Sequence, residues 1–191
     1  MDEAGRGPWA GPVVAAAVIL RRRPRGVRID DSKRLTLRQR QRAYQAILDC
    51  AEVGIGLASP EEIDQINILQ ASLLAMRRAI EDLPVTPDVL LVDGPFSPRV
   101  AMPCRAIVKG DHLSEVIGCA SIIAKVFRDR LMAFYHDLLP EYGFDAHKGY
   151  GTPLHSERLA QFGPSILHRH TFAPVQQRLH ANDPALVLAE A

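Results

Sequence analysis

Residues 13–20, Val-Val-Ala-Ala-Ala-Val-Ile-Leu, form an apolar run with no polar interruption. Such a run predicts a strand covered on both faces. The first helical pattern follows a basic stretch: Leu37, Tyr44, Ile47 and Leu48 recur at helical spacing to about Cys50, and Thr36 with Gln39 makes a capping box. Positions 53–58, Val-Gly-Ile-Gly-Leu-Ala, alternate with period two as a strand does, and their glycines imply a close neighbour or a twisted edge. Ser59-Pro60-Glu61-Glu62 is a second capping box with proline at the first helical position, and apolar residues from Ile63 to Ile80 predict one or two helices ending near Leu83.

Two short apolar strands come next, at 89–92 and 106–108, and each delivers an acid at its C-terminal end: Asp93-Gly94 after the first, Lys109-Gly110-Asp111 after the second. That edge is where open α/β sheets place their sites. A long helix is predicted over about 114–139, with Val116, Ile117, Ala120, Ile123, Ala124, Phe127, Leu131 and Phe134 as its buried stripe. Arg128, Asp129 and Arg130 fall beyond that stripe, with Asp129 read as a solvated charge between two arginines. After a loop dense in glycine and aromatics, Thr152 is the N-cap and Pro153 the first position of a helix that Gly163-Pro164 ends. A helical tail starts at about Pro174. The alternation predicts an α/β protein with 1–191 as one domain, in which about 153–191 is a C-terminal helical extension.

Composition narrows the class. A hydrophobic fraction of 47% and a charged fraction of 24% exclude a disordered or collagen-like chain. The net charge of +1 gives little global attraction to polyanions, so any nucleic-acid surface must be a local patch, and the arginine-rich residues 21–28 are one candidate, a solvated loop being the commoner meaning of such a run. Cys50, Cys104 and Cys119 are an odd set without metal-like spacing and suggest a reducing, cytoplasmic setting. Seven histidines occur without an HExxH pattern or a Cys/His cluster, so zinc is not supported. No apolar run approaches the roughly eighteen residues that a bilayer-spanning helix needs, and the N-terminus lacks the basic and hydrophobic regions of a signal peptide, so no membrane association is expected.

The chemistry concentrates at the start. Asp2 and Glu3 stand beside Gly5-Arg6-Gly7 and lead into the 13–20 run. Two readings are open: a tight turn with solvated acids at its mouth, or a loop whose glycines let backbone amides approach a phosphate or hydroxyl. No Gly-Lys-Ser/Thr is present and the glycines precede the strand, so this is neither a P-loop nor a dinucleotide fingerprint. Asp2, Glu3, Asp93 and Asp111 lie on separate segments that an α/β sheet brings together. Four converging carboxylates repel one another unless cations neutralise them, and hard divalent ions with oxygen ligands suit phosphodiester chemistry. Scattered surface acids are the alternative that spacing alone leaves open.

The opening Asp-Glu-Ala-Gly-Arg-Gly-Pro-x-x-Gly-Pro-Val-Val-Ala-Ala-Ala-Val resembles the signature of bacterial ribonuclease HII. The resemblance continues in order through Asp31-Ser32-Lys33, the 66–76 segment Ile-Asn-Ile-Leu-Gln-Ala-Ser-Leu-Leu-Ala-Met, Val92-Asp93-Gly94, Lys109-Gly110-Asp111, the 120–129 segment and His147-Lys148-Gly149-Tyr150-Gly151-Thr152. It implies an RNase H-like fold, a mixed β-sheet flanked by helices with a C-terminal helical extension. It also implies a monomeric endonuclease that cleaves the RNA strand of RNA–DNA hybrids, including single ribonucleotides in DNA duplexes, with Mg²⁺ or Mn²⁺ as cofactor and 3′-hydroxyl and 5′-phosphate products. Carried over position by position, Asp2, Glu3, Asp93 and Asp111 are the metal-binding catalytic carboxylates, the Gly5-Arg6-Gly7 backbone senses the 2′-hydroxyl, and Tyr150 sits against the sugar on the DNA side. Lys33, Lys109 and Lys148, and more weakly Lys125 and Arg169, are candidates for phosphate contacts. Family members usually carry several residues before the Asp-Glu pair, whereas here Asp2 follows Met1. A frayed opening strand would turn the chain into a nucleic-acid-binding relative with impaired metal binding.

Overall fold

The structure, a computed structural model, describes residues 1–181; the last part of the 153–191 extension lies outside them. Strands β1 (Asp2–Ala4), β2 (Val13–Leu20) and β3 (Ala51–Ala58) form an antiparallel meander, with Asp2 opposite Ala16 and Ala16 opposite Ile55. Strands β4 (Leu90–Asp93) and β5 (Cys104–Ile107) pair in parallel. Met1 joins the two groups: its nitrogen donates to Leu91 O at 2.6 Å and its carbonyl accepts from Asp93 N at 3.0 Å, the hydrogen-bond pattern of a parallel ladder. The spatial order is therefore β3-β2-β1-β4-β5, a mixed sheet, as expected. Its middle strand, β1, carries the first two acids.

β2 shows why an unbroken apolar run was needed. Val13, Ala15 and Ala17 face one side, against Ala71, Ala75 and Ala79 of helix α2 (Pro60–Glu81), while Ala16 and Val18 face the other, against helices α1 (Leu37–Leu48) and α4 (Glu115–Leu138). Both predicted capping boxes are formed, Thr36 with Gln39 and Ser59 with Glu62. β3 lets α2 approach closely: a side-chain carbon on Gly54 or Gly56 would overlap the backbone of Ala79 or Ala75. α2 breaks at Asn67 (φ 66°, ψ 163°), whose Oδ1 accepts from Leu69 N and Gln70 N and so caps the second half locally.

Several sequence expectations shift. The strand expected from 53 begins at Ala51, and the one expected at 106–108 is Cys104–Ile107. A separate four-residue helix, α3 (Gly110–Leu113), precedes α4. Phe134, assigned to the buried stripe of α4, is 55% exposed, because near that end of the helix it is Met132 and Tyr135 that pack against Tyr142 and Phe144, leaving Phe134 on the open face. The chain closes through α5 (Phe144–His147), α6 (Pro153–Phe162) and α7 (Ala173–Ala181). α6 has the expected Thr152 cap and ends at Gly163.

Candidate active site

β1 ends the meander with Asp2 buried and Glu3 half-buried, and the Met1–Asp93 bond brings the tip of β4 alongside. The turn after β5 supplies the third segment. Lys109 adopts a left-handed conformation (φ 59°), which points Gly110 N and Asp111 N at Asp93 Oδ1, 2.7 and 3.4 Å away. Carboxylate oxygens of Asp2, Asp93 and Asp111 consequently lie within 4.8 Å of one another. Glu3 stands beside this trio and turns to Arg6, its Oε1 accepting from Nη1 at 3.3 Å. Of the four expected acids, three converge and the fourth lines the same cleft.

The electrostatics is that of a site short of positive charge. Burial pushes the Asp2 carboxyl up to about 7, with Glu3 and Asp93 adding repulsion. Burial also raises Glu3, opposed by Arg6, and raises Asp111, reinforced by Asp93. A second set, Asp31, Asp111 and His112, brings its ligand atoms within 4.8 Å and shares Asp111 with the first. His112 is a functional candidate that no motif marks in the sequence, its place directly after Asp111 being the one signal.

A cleft of about 400 Å³ opens over the acids. Gly5, Arg6 and Gly7 form one wall, and Ser32, Lys33, Ser121, Lys125 and Tyr150 line the rest. Tyr150 is 40% exposed, and its ring edge lies 4.0 Å from where a side chain on Gly7 would begin. Its carbonyl accepts from His155 Nδ1 at 2.9 Å; His155 Nε2 meets His168 Nε2 at 3.0 Å, and His168 Nδ1 accepts from Ser165 N. All three bonds form when both rings are neutral, with the protons on His155 Nδ1 and His168 Nε2.

The lysines separate. Lys33 and Lys125 line the cleft, Lys125 also pairing with Asp129 at 2.7 Å, so Asp129 is an ion-pair partner and not the solvated charge expected between two arginines. Lys109 and Lys148 do not line it: Lys109 is exposed on the turn that seats Asp111, and Lys148 Nζ donates to Asp145 O. Arg169 corrects an expectation outright. It is fully buried and donates to Gly5 O, Arg6 O and Gly11 O, so it cannot reach a phosphate. Arg128, expected beyond the buried stripe of α4, is likewise fully buried and donates to Pro12 O, Ala10 O and Lys148 O. Three of the five arginines in residues 21–28 have carboxylate partners, Arg21 with Glu52, Arg23 with Glu115 and Arg28 with Asp30. No described helix is long and apolar enough to cross a membrane.

The sequence model of one family, Ribonuclease HII, matches residues 1–175. A ribonuclease HII of Chlamydia muridarum is 53% identical over 181 residues, 94% of this chain and 83% of that protein. One from Parvibaculum lavamentivorans is 51% identical over 182 residues, 94% of this chain and 67% of its own length. The crystal structure of ribonuclease H2 from Pyrococcus horikoshii superposes with a TM-score of 0.76 at 29% identity, covering 94% of this chain and 95% of that one.

Proposed function

The chain belongs to the ribonuclease HII family, and from that premise we infer that it is an endonuclease hydrolysing the RNA strand of RNA–DNA hybrids, single ribonucleotides embedded in DNA included. The observation that carries the site assignment is the convergence of Asp2, Asp93 and Asp111 from three separate segments. The donor set fits a hard divalent cation: it is all carboxylate oxygen, it lines an open cleft, and among the described residues no lysine or arginine pairs with these three acids. When bound, one or two Mg²⁺ or Mn²⁺ ions supply polarisation of the scissile phosphate, activation of the attacking water and stabilisation of the leaving oxygen.

The protein's own part is positioning. Asp2, Asp93 and Asp111 fix the cations, with Glu3 as the fourth ligand once it turns from Arg6. The Gly5-Arg6-Gly7 backbone reads the 2′-hydroxyl, the group that distinguishes RNA from DNA at a given site. Tyr150 packs against the neighbouring sugar on the DNA side. Lys33 contacts phosphate from inside the cleft, and Lys109 and Lys148 do so from its rim, contacts that position the duplex without reading its sequence. The products are a 3′-hydroxyl and a 5′-phosphate. We read the chain as a monomer acting in the cytoplasm, in keeping with its three free cysteines.

The test compares three duplexes, a long RNA–DNA hybrid, DNA with one ribonucleotide, and DNA alone, each with Mg²⁺, Mn²⁺ or a chelator. Cutting of the first two, only with metal, is expected. Cutting of plain DNA, or cutting with chelator, contradicts the reading. Binding of the hybrid without cutting would make the chain a nucleic-acid-binding relative.

A further inference from the structure

The two walls of the cleft are tied together underneath by a pair of guanidinium groups. Arg169 gives three of its nitrogens to the N-terminal turn: Nε to Gly11 O at 3.0 Å, Nη1 to Arg6 O at 2.9 Å, and Nη2 to Gly5 O at 2.6 Å and Gly11 O at 2.8 Å. Arg128 spans both walls, with Nε on Pro12 O at 3.0 Å, Nη2 on Ala10 O at 3.1 Å and Nη1 on Lys148 O at 2.9 Å. Its guanidinium also lies 5.9 Å from the centre of the Tyr150 ring. There is no slack in the fit: a side-chain carbon on Gly5 would overlap Arg128 itself.

The direction of these bonds matters. A trans peptide is planar, with its N–H opposite its C=O. The Gly5 and Arg6 carbonyls are drawn to Arg169, so the amides of Arg6 and Gly7, which belong to the same two peptide groups, point away from it, toward the wall that the turn presents to the cleft. Among the described residues neither amide donates a hydrogen bond.

A simple staple does not require this chemistry. Both arginines are completely buried, and among the described residues neither pairs with a carboxylate. Burying a charge without a counter-ion is costly, and two such charges close together are costlier. The arrangement makes sense beneath a surface that receives an anion.

We propose that Arg128 and Arg169 are positioning residues for ribonucleotide selection, locking the Gly5–Gly7 turn and the 148–150 turn at a fixed separation with the Arg6 and Gly7 amides directed at the substrate. This rests on the ribonuclease reading above and adds to it the element that shapes the 2′-hydroxyl sensor. Arg169→Lys keeps the charge but replaces three donor nitrogens in a fixed plane with one, so the turn loosens while the acids stay in place.

The experiment has two arms. In the first, Arg169→Lys and wild type are compared on DNA carrying one ribonucleotide. The variant is expected to lose roughly ten- to a hundredfold in kcat, the size of one or two charged hydrogen bonds, with the metal concentration for half-activation and the metal-induced rise in Tm unchanged. A folded variant with wild-type kcat and wild-type preference for the ribonucleotide overturns the proposal, as does a variant whose loss is recovered by more metal. In the second arm, which needs no variant, amide exchange of wild type is followed with Ca²⁺ and either the ribonucleotide duplex or plain DNA. Protection of the Arg6 and Gly7 amides by the first duplex alone is expected; equal protection by both, or none, overturns the proposal even if Arg169→Lys fails to fold. Wild type that cuts no duplex with any metal would sink the ribonuclease reading instead, a result separate from either arm.

Discussion

Asp2 and Glu3 are neighbours in sequence, and strand alternation sends them to different tasks: Asp2 turns inward to Asp93 and Asp111, and Glu3 faces Arg6. Because the inward acids repel one another, the metal-free protein carries a cost that function requires. Asp2→Asn should therefore raise the stability of the metal-free protein at neutral pH by about 1–2 kcal/mol while lowering cleavage by roughly three orders of magnitude; denaturant unfolding and single-turnover assays check the two halves. Gly5 is the opposite case. Its φ of +97° and its contact with Arg128 leave no room for a methyl, so Gly5→Ala should cost roughly 3 kcal/mol, whereas Gly26→Ala, also at positive φ (+69°) but in open space, should cost about 1 kcal/mol. Equal losses in denaturant titrations would refute the close packing. At this scale the acids and the glycines were legible because their chemistry is unusual where they stand. Arg128 and Arg169 were not, since a lone arginine is ordinarily a surface residue and nothing local reveals that distant carbonyls will surround it.

Among the elements, caps and periodicity carried most of the information. Thr36, Ser59 and Thr152 start their helices as the sequence implies, because a cap is a local bond between residues three apart. The glycines of β3 announced a close neighbour, and α2 is that neighbour. Gly56→Ala should accordingly push α2 off the sheet at a cost of about 3 kcal/mol, seen as a shift of the unfolding midpoint without a change in slope; a cost near zero would mean that the helix packs farther away. Phe134 shows where periodicity stops informing. Helical spacing continues along α4, but which face of its last turns is covered depends on tertiary contacts that the pattern does not encode.

Across the whole molecule, the order β3-β2-β1-β4-β5 was beyond the sequence, because nothing in the short Asp2–Ala4 segment says that it lies between β2 and β4. That placement creates the site. The aromatic and histidine layer under Tyr150 carries a global consequence. Burial holds His155 down at about 4 and His168 at about 3, so the folded state resists protons that the unfolded chain accepts near 6.5. The stability that these two histidines contribute is then complete above about pH 6.5 and falls as the pH drops toward 4, opposite in sign to the gain from protonating Asp2, which burial holds at about 7. Melting curves of Asp2→Asn, which removes that opposing group, should show the decline across the window, and a flat profile there would contradict the neutral, hydrogen-bonded pair.

The most direct measurement of the central claim uses DNA carrying one ribonucleotide, with wild type and Asp93→Asn assayed side by side in Mg²⁺ and in Mn²⁺. Asp93 is the residue to change because it touches both halves of the site, through Met1 and through the Gly110–Asp111 turn. The account predicts a single metal-dependent nick on the 5′ side of the ribonucleotide by wild type and its loss in the variant. Cleavage that persists in Asp93→Asn at the wild-type rate would contradict it.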